Sequence, residues 1–161
     1  MEQRHFSTLA LNQALLDNLA SLKYLQMTPI QAQSLPLIIE GRDVIGQAKT
    51  GSGKTAAFGL GLLDKLNVKQ FRVQSLILCP TRELADQVAN EIRSLARRIH
   101  NIKVLTLCGG VAFGPQKGSL QHGAHIIVGT PGRIEEHLRK KNLKLTHLST
   151  FILDEADRML D

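Results

Sequence analysis

Apolar and polar positions alternate along the chain with a period that changes several times. Between residues 9 and 22, apolar side chains recur every three or four positions and polar ones fill the rest, which predicts an amphipathic helix. The apolar members of this stripe are Leu11, Ala14, Leu15, Leu19 and Leu22.

From residue 44 onward, short β-like runs alternate with longer helical patterns. The runs predict strands at residues 44–45, 75–79, 103–108, 125–128 and 150–153. The helical patterns lie at about residues 54–66, 82–99, 114–121 and 132–141. Each crossover must return the chain to the start of a parallel strand. The alternation therefore predicts an α/β fold with a mostly parallel sheet and helices on both faces.

Composition narrows the class of protein without identifying its chemistry. Of the 161 residues, 43% are apolar and 21% are charged, which is typical of one globular domain and not of a disordered chain. Twenty Lys and Arg against 14 Asp and Glu give a formal net charge of +6. This balance suits a polyanionic partner such as nucleic acid, although many basic domains bind none.

Each of the two cysteines, Cys79 and Cys108, ends an apolar run. Two cysteines make neither a disulfide framework nor a metal cluster, so we expect buried, reduced thiols. The opening residues lack the apolar core of a signal peptide, and no apolar run reaches membrane-spanning length. We therefore expect a cytoplasmic protein without a membrane partner.

The segment after the run at residues 44–45 is a candidate phosphate-binding loop. A strand, a Gly-rich turn and a helix start present backbone N–H groups to a phosphate. Lys54 adds a cation for the β- and γ-phosphates, and the Thr55 hydroxyl can ligate Mg²⁺. The usual phosphate-loop pattern begins with Gly, whereas this chain has Ala48 at that position. The alternative interpretation is a Gly-rich turn in which the Lys is incidental. The loop comprises Ala48, Lys49, Thr50, Gly51, Ser52, Gly53, Lys54 and Thr55.

The last predicted strand ends abruptly in acidic residues. In a phosphate-loop ATPase, the acid that closes such a strand holds Mg²⁺ opposite the loop hydroxyl, and this acid is Asp154. The adjacent Glu155 is then placed to orient or deprotonate the attacking water. Lys54, Asp154 and Glu155 are thus the candidate catalytic residues. A simple helix cap is the alternative interpretation of the acids.

Asp154, Glu155, Ala156 and Asp157 spell the motif that names the DEAD-box family of ATP-dependent RNA helicases, which this chain resembles. The loop that begins with Ala48 is similar to the family's own form. The resemblance implies a RecA-like, three-layer α/β/α fold with ATP and Mg²⁺ as cofactors. It also implies that residues 1–40 form a Q-motif region with amphipathic helices and residues 41–161 an incomplete first RecA-like domain, together one structural domain.

Residues 24–31 resemble the family's adenine-sensing Q motif, and Phe6 lies at the position of the isolated aromatic before it. The resemblance implies that Gln31 hydrogen-bonds adenine, with Tyr24, Thr28 and Phe6 nearby. An amide has both a donor and an acceptor, which suits the two-sided edge of adenine. Lys23 stands where the common form of the motif has Gly, and Met27 stands where it has Pro. Phe6 and Tyr24 are alternatively core aromatics.

Three further segments resemble the family's successive RNA-contacting motifs, and each follows a predicted strand. Carboxyl ends of parallel strands form the binding edge of an open α/β sheet. Hydroxyls, guanidinium groups and Gly backbones suit phosphate and sugar contacts, so RNA binding should be independent of sequence. Arg82 alternatively pairs with Glu83 or Asp86 on its own helix. The residues implied are Pro80, Thr81, Arg82, Gly109, Gly110, Thr130, Gly132 and Arg133.

Other charged and histidine residues are weaker signals. The basic run at residues 139–144 is typical of a solvated helix end. His122 and His125 are spaced like half of a metal site, but no Cys partners follow, so packing or surface roles are favoured.

The resemblance covers only part of the family's core. It implies a missing Ser-Ala-Thr motif, and a missing second domain that supplies arginine fingers and half of the RNA cleft. We therefore expect this chain to be nearly inactive alone and to be completed by its own second helicase domain or by another chain. Residues 107–110 and 119–122 resemble the bacterial subgroup that acts in large ribosomal subunit assembly. A DNA helicase of the same superfamily and an ATP-dependent RNA clamp without unwinding are the alternatives.

Overall fold

A computed structural model describes residues 4–160, which form two compact units. The first unit contains the residues up to Lys65 together with Glu91–His100, and the second contains Leu66–Asn90 together with the residues from Asn101 onward. In chain order, the helices are α1 (Gln13–Ser21), α2 (Pro29–Ile39), α3 (Lys54–Lys65), α4 (Arg82–Leu95), α5 (Phe113–His122) and α6 (Pro131–Arg139). The strands are β1 (Ser75–Leu78), β2 (Val104–Leu107), β3 (Ile126–Gly129) and β4 (Thr150–Leu153), and short 3-10 helices span Phe6–Thr8 and Ala156–Met159.

Helices build the first unit, and side-chain caps mark their ends. The predicted amphipathic helix begins at Gln13 because the Asn12 side chain accepts a hydrogen bond from the backbone N–H of Ala14. Asn18 of α1 donates from its amide to the carbonyls of Ser94 and Leu95, at 2.8 and 2.9 Å. These bonds satisfy carbonyls at the end of α4 that have no partner within their own helix.

Two glycines of α3 allow close helix packing in the first unit. A Cβ atom on Gly61 would overlap the Ile38 side chain of α2, and one on Gly59 would lie 3.1 Å from Leu95. The core that results from this close approach is apolar and fully buried. Its largest members are Leu15, Leu19, Leu35, Leu60, Leu62, Leu63, Ile92 and Leu95.

The second unit is built on a parallel four-stranded sheet in the order β2-β3-β1-β4. Ser75 pairs with Ile126 on one side and with Thr150 on the other, so the strands start in register. β3 is buried along its whole length, as expected of an inner strand of a parallel sheet. A core cluster packs Leu76, Leu107, Ala124, Ile127, Ile134 and Leu143 together.

β4 lies at the edge of this sheet and, within the part of the chain that the structure describes, pairs with β1 alone. Its side chains alternate between half-buried and exposed, and Phe151 and Leu153 are 53% and 51% exposed. Large apolar side chains on an open strand edge are unusual for a finished surface. This edge is therefore a candidate site for further packing.

The prediction of a strand at residues 44–45 is wrong. Residues 42–49 form neither helix nor strand, and Ile45 is 96% exposed. A strand exists only as part of a hydrogen-bonded ladder, and none of the four described strands pairs with this segment. The other four predicted strands form within two residues of their predicted bounds. The helix predicted to reach residue 99 ends at Leu95.

His125 has the packing role that the sequence favoured. Its Nδ1 atom accepts a hydrogen bond from the backbone N–H of Lys103 at 3.0 Å, and its Nε2 atom lies 2.9 Å from the Val68 carbonyl oxygen. Since Nδ1 accepts, Nε2 is the donor to Val68. The ring packs edge-on against Phe71, and the residue is completely buried.

Among residues 4–160, no helix combines the length and the apolar character that crossing a membrane requires.

Candidate functional site

The Gly-rich loop forms a turn that leads directly into α3. The backbone N–H of Ser52 donates to the Lys49 carbonyl at 3.2 Å, and Gly51 and Gly53 have φ angles of +83° and +87°. L-residues rarely adopt such angles, so glycine is needed at both positions. α3 begins at Lys54, and the first N–H groups of a helix have no partner within it. This geometry suits an anion.

The amide of Gln31 ties the start of α2 to this loop. Its Oε1 atom accepts from the backbone N–H of Thr28 at 2.9 Å, and its Nε2 atom donates to the Gly53 carbonyl at 3.0 Å. A Cβ atom at position 53 would overlap Nε2 of Gln31. The glycine therefore serves two purposes here, the positive φ angle and the close approach of the amide.

The first unit contains a cleft of about 510 Å³ beside these Gln31 hydrogen bonds. Phe6 is buried in its wall, and Tyr24 is half exposed. Among the residues predicted to bind the cofactor, the cleft brings together Phe6, Tyr24, Thr28, Gln31, Gly51 and Gly53. Lys23, Gln26 and Glu91 also line it, although none of them was predicted to bind the cofactor. Lys23 and Gln26 lie beside or within the segment that resembles the Q motif, and only Glu91 had no signal in the sequence.

The remaining residues of the phosphate-binding loop lie on either side of its two glycines. Lys49 and Thr50 are exposed, and Ala48 is half-buried. Lys54 and Thr55 are half-buried in the first turn of α3.

One hydroxyl group of this region, that of Ser52, is buried without a hydrogen-bond partner. A buried hydroxyl without a partner costs on the order of 1–3 kcal/mol, so a polar ligand that reached this group would recover that free energy. The donors and acceptors present therefore fit a phosphate-bearing ligand with a polar ring.

Asp154 and Glu155 lie directly after β4, in the second unit. The backbone N–H of Asp154 donates to the Leu78 carbonyl at 2.9 Å, which continues the β1–β4 ladder by one residue, and Asp154 is buried. Glu155 adopts a left-handed conformation, with φ +53° and ψ +51°. Its carboxylate lies 2.6 Å from the guanidinium of Arg158. The chain thus turns sharply between the two acids, so each side chain leaves the strand end in its own direction.

The three predicted RNA-contacting segments lie at the carboxyl ends of their strands, as expected. The Thr81 hydroxyl accepts from the backbone N–H of Leu84 at 3.2 Å and so caps the start of α4. The Thr130 hydroxyl accepts from the backbone N–H of Gly109 at 3.0 Å, which joins the segments after β2 and β3. Pro80 is half-buried, and Gly132 is exposed.

Arg82 and Arg133 approach the same glycine-containing segment. A Cβ atom on Gly110, whose φ is +78°, would lie 3.9 Å from the guanidinium of Arg82. Arg133 donates to the Val111 carbonyl at 2.8 Å. The structure therefore brings these predicted residues to one sheet edge, while their contact with RNA stays a prediction. The alternative pairing of Arg82 with an acid of its own helix stays open.

Sequence reasoning missed two buried polar residues beneath this edge, Gln116 and His137. Gln116 donates to the Cys108 carbonyl at 3.0 Å and accepts from Arg133 at 3.0 Å and from His137 at 2.9 Å. Only the structure shows that a Gln in the middle of α5 is 7% exposed. The sequence signal was weak, since α5 has no clear apolar stripe.

Burial and charge shift the pKa of two groups here. Burial lowers the pKa of His137 from its ordinary value of 6.5, and the nearby Arg133 and Lys140 add to this effect, while Glu136 opposes it. Burial and, to a smaller extent, the charge of Asp86 raise the pKa of the Cys108 thiol from its ordinary value of 9.0.

Both cysteines are buried and free, as predicted.

Comparison with known sequences and structures places the chain in a known family. The sequence profile of the DEAD/DEAH box helicases matches residues 28–161. The chain belongs to the DEAD/DEAH box helicase family, and membership implies nucleotide use.

Several bacterial relatives resemble the chain closely. It is 62% identical over 97% of its length to the ATP-dependent RNA helicase DbpA of Escherichia coli, and covers 34% of that protein. It is 48% identical to the ATP-dependent RNA helicase DeaD of Buchnera aphidicola over 96% of its length, and covers 26% of that protein. The chain therefore spans about a third of the length of the curated relatives that it matches.

Solved structures show the same fold. A DEAD box protein from Methanococcus jannaschii superposes with a TM-score of 0.91 at 41% identity, over 97% of this chain and 42% of that one. A variant of Saccharomyces cerevisiae Dbp5 bound to RNA and ADP BeF3 superposes with a TM-score of 0.88 at 33% identity, over 98% of this chain and 39% of that one. The predicted α/β class with a parallel, RecA-like sheet is thereby confirmed.

Proposed function

We propose that this chain is the ATP-binding part of an ATP-dependent RNA helicase. The observation that carries the proposal is the hydrogen bond from the Gln31 amide to the Gly53 carbonyl, at the wall of a polar cleft. A residue suited to read a base is bonded to the loop suited to hold phosphates. The two ends of one nucleotide would therefore be sensed together.

Adenine binds in this proposal beside Phe6, Tyr24 and Gln31, and the phosphates lie along the loop from Ala48 to Thr55. The Gln31 amide uses one acceptor site and one donor hydrogen within the protein, and each atom retains a second. Those remaining sites suit the donor and acceptor edge of adenine. Lys54, at the start of α3, contributes a positive charge for the outer phosphates.

Mg²⁺ is the second proposed cofactor, with the Thr55 hydroxyl and the Asp154 carboxylate as its protein ligands. When bound, Mg²⁺ neutralises charge on the phosphate oxygens. Glu155 orients the attacking water and accepts its proton. The contact with Arg158 holds the Glu155 carboxylate in place.

RNA binds across the sheet edge of the second unit through its sugar-phosphate backbone. Guanidinium groups of Arg82 and Arg133 face the phosphates, and the glycines at 109 and 110 offer backbone N–H groups. These contacts carry no base information, so we propose binding that is independent of sequence. The yeast Dbp5 variant of similar fold was solved with RNA and a nucleotide, which supports this assignment.

Completion by further sequence is part of the proposal. A second helicase domain, or another chain, covers the exposed edge of β4 and supplies the rest of the ATP and RNA sites. We propose that the chain alone is nearly inactive for this reason. The resemblance to the bacterial subgroup noted above supports a cytoplasmic role in large ribosomal subunit assembly.

The test uses a full-length test protein, in which this chain replaces the matching third of the E. coli relative. ATP hydrolysis is measured with single-stranded RNA, with single-stranded DNA and with neither. We expect single-stranded RNA to stimulate ATP hydrolysis and single-stranded DNA to leave it unchanged. Equal stimulation by DNA would support a DNA helicase, and RNA binding that needs ATP without any turnover would support a clamp.

Glu155→Gln in the test protein should lower RNA-stimulated hydrolysis by at least roughly a hundredfold, because the amide cannot accept the proton of water. ATP binding should be retained. Glu40→Gln, at the exposed end of α2, is the matched control and should leave hydrolysis unchanged. Hydrolysis that survives the substitution at Glu155 would refute its assigned role.

A further inference from the structure

Gln116 is the centre of a buried polar cluster in the second unit. The residue is 7% exposed, and its amide makes three hydrogen bonds. Nε2 donates to the carbonyl of Cys108, the residue before Gly109 and Gly110. Oε1 accepts from Nη1 of Arg133 and from Nε2 of His137. One side chain of α5 thus bonds to the segment after β2 and to two residues of α6.

His137 fixes the orientation of this amide. Its Nδ1 atom lies 3.3 Å from Nδ2 of Asn142, which can only donate, so the imidazole proton lies on Nε2 and points to Gln116. If the amide were flipped, its NH₂ group would face the donors of Arg133 and His137, and its oxygen would face a carbonyl. Only one orientation satisfies all the groups.

The His137 ring is itself held by stacking. It lies 4.3 Å from the ring of Phe113 with an angle of 9° between the planes. The Lys140 ammonium lies 4.4 Å and the Arg133 guanidinium carbon 5.6 Å from the centroid of the Phe113 ring. Aromatic stacking and cation–π contacts favour a fixed ring position.

Arg133 is restrained by this cluster at two points. Its Nη1 atom donates both to Gln116 and to the Val111 carbonyl, at 3.0 and 2.8 Å. Its Nε atom lies 3.5 Å from the Glu136 carboxylate. A guanidinium has five donors, so some remain to face an external anion. The side chain that would meet RNA is therefore pre-oriented by the protein.

We propose that Gln116 is a positioning residue for RNA-backbone binding, which holds Arg133 and the segment from Cys108 to Gly110 in one phosphate-binding arrangement. This inference rests on the RNA-binding role proposed above. Gln116 itself lies beneath the edge and does not touch RNA. Without Gln116, no shared hydrogen-bond partner holds the Arg133 side chain and the glycine segment in place. RNA binding must then supply the free energy to order both, so the affinity for RNA falls.

The experiment compares Gln116→Met with Gln121→Met in the full-length test protein. Methionine keeps the length of the side chain and removes its hydrogen bonds. Gln121 lies on the same helix but is exposed, so it is a matched control. The measurements are the RNA concentration that gives half-maximal ATPase stimulation, the turnover at saturating RNA, the KM for ATP and thermal unfolding.

Gln116→Met should raise the half-maximal RNA concentration by roughly three- to tenfold, with turnover at saturating RNA and the KM for ATP within about twofold of wild type. Gln121→Met should change none of these values. In an Arg133→Ala background, Gln116→Met should have a smaller effect, because the guanidinium that it positions is gone. A purely structural residue would show the same effect in both backgrounds.

The outcomes separate the two proposals. If RNA neither binds nor stimulates the wild-type test protein, the proposed function fails and this inference fails with it. If Arg133→Ala weakens RNA binding but Gln116→Met does not, the inference alone is overturned. Gln116→Met that lowers the unfolding temperature without changing the RNA response also overturns it.

Discussion

Lys23 takes a φ angle of +63°, in the left-handed region that favours glycine. The Q motif that this segment resembles has glycine at this position, and the backbone geometry explains why. The substitution removes no polar contact of the cleft, and its cost is backbone strain. Such a cost is visible only once the dihedral angle is known, although the sequence had singled out the position.

Gly53→Ala should weaken the preference for ATP over GTP by roughly tenfold, because a Cβ atom at that position displaces the Gln31 amide. The left-handed φ angle adds strain of about 1–2 kcal/mol. Competition between ATP and GTP for a fluorescent nucleotide on the test protein measures the ratio of affinities.

Gly51→Ala is the control for strain in this comparison. Its φ angle is also strongly positive, but a Cβ atom there would meet nothing within 4 Å. It should therefore lower the affinity for both nucleotides without changing their ratio. An equal change of the ratio in both variants would count against Gln31 as the adenine-reading residue.

The residues found by motif and those found only by structure differ in a physical way. Lys54, Asp154 and Arg133 could be named as candidate site residues because they stand at strand and helix boundaries that the sequence pattern marks, and their roles stay predictions. Gln116 and His137 could not, since their importance depends on burial and on partners about 20 positions away in the chain. No local pattern reports such partners.

At the scale of elements, the apolar runs predicted four strands because each run is long enough to fill a ladder and one face of a core. The run at residues 44–45 has two apolar residues and no ladder partner among residues 4–160. Its prediction was wrong because strand formation depends on a neighbour and not on local composition. The starts of α3 and α4 were predicted correctly, whereas the apolar stripe from residue 9 predicted an earlier start for α1 than the Asn12 cap gives it.

The hydrogen bond between His137 of α6 and Gln116 of α5 should make the stability of the second unit fall at acidic pH. The pKa of His137 in the folded state lies below the ordinary value of 6.5, so the unfolded state binds the proton first as the pH falls. The stabilisation by the neutral ring is therefore complete above about pH 6.5 and is lost as the pH falls below it.

Urea unfolding of the isolated chain at about pH 7.5 and about pH 5.5 measures this loss, with an expected contribution of at most about 1 kcal/mol. His137→Gln removes the titrating group and should reduce the pH dependence. His147→Gln, at an exposed position, should leave it unchanged. An unchanged pH dependence in the His137 variant would show that other groups cause it.

At the scale of the whole molecule, the chain consists of two compact units, and among residues 4–160 only the second unit carries a sheet. The division into residues 1–40 and 41–161 stays a prediction. From the sequence, an incomplete domain was expected only through the resemblance. The structure adds a physical observation that supports this expectation, namely an edge strand with exposed Phe151 and Leu153.

Phe151→Lys should reduce self-association of the isolated chain, because a charge on an open strand edge disfavours pairing with a second copy. Sedimentation velocity over a range of concentrations measures the association. Leu160→Lys changes a side chain that is 88% exposed outside the sheet and should have little effect. A wild-type chain that stays monomeric and unfolds sharply and reversibly would contradict the idea that this edge requires completion.

The two cysteines have a consequence for following the motions of the molecule. Both thiols of the chain lie in the second unit, and both are buried. A thiol reagent therefore modifies them only when that unit opens, and the raised pKa of Cys108 slows its reaction further. The labelling rate thus measures how often the second unit opens, while opening of the first unit, which contains the cleft lined by Gln31, is not detected.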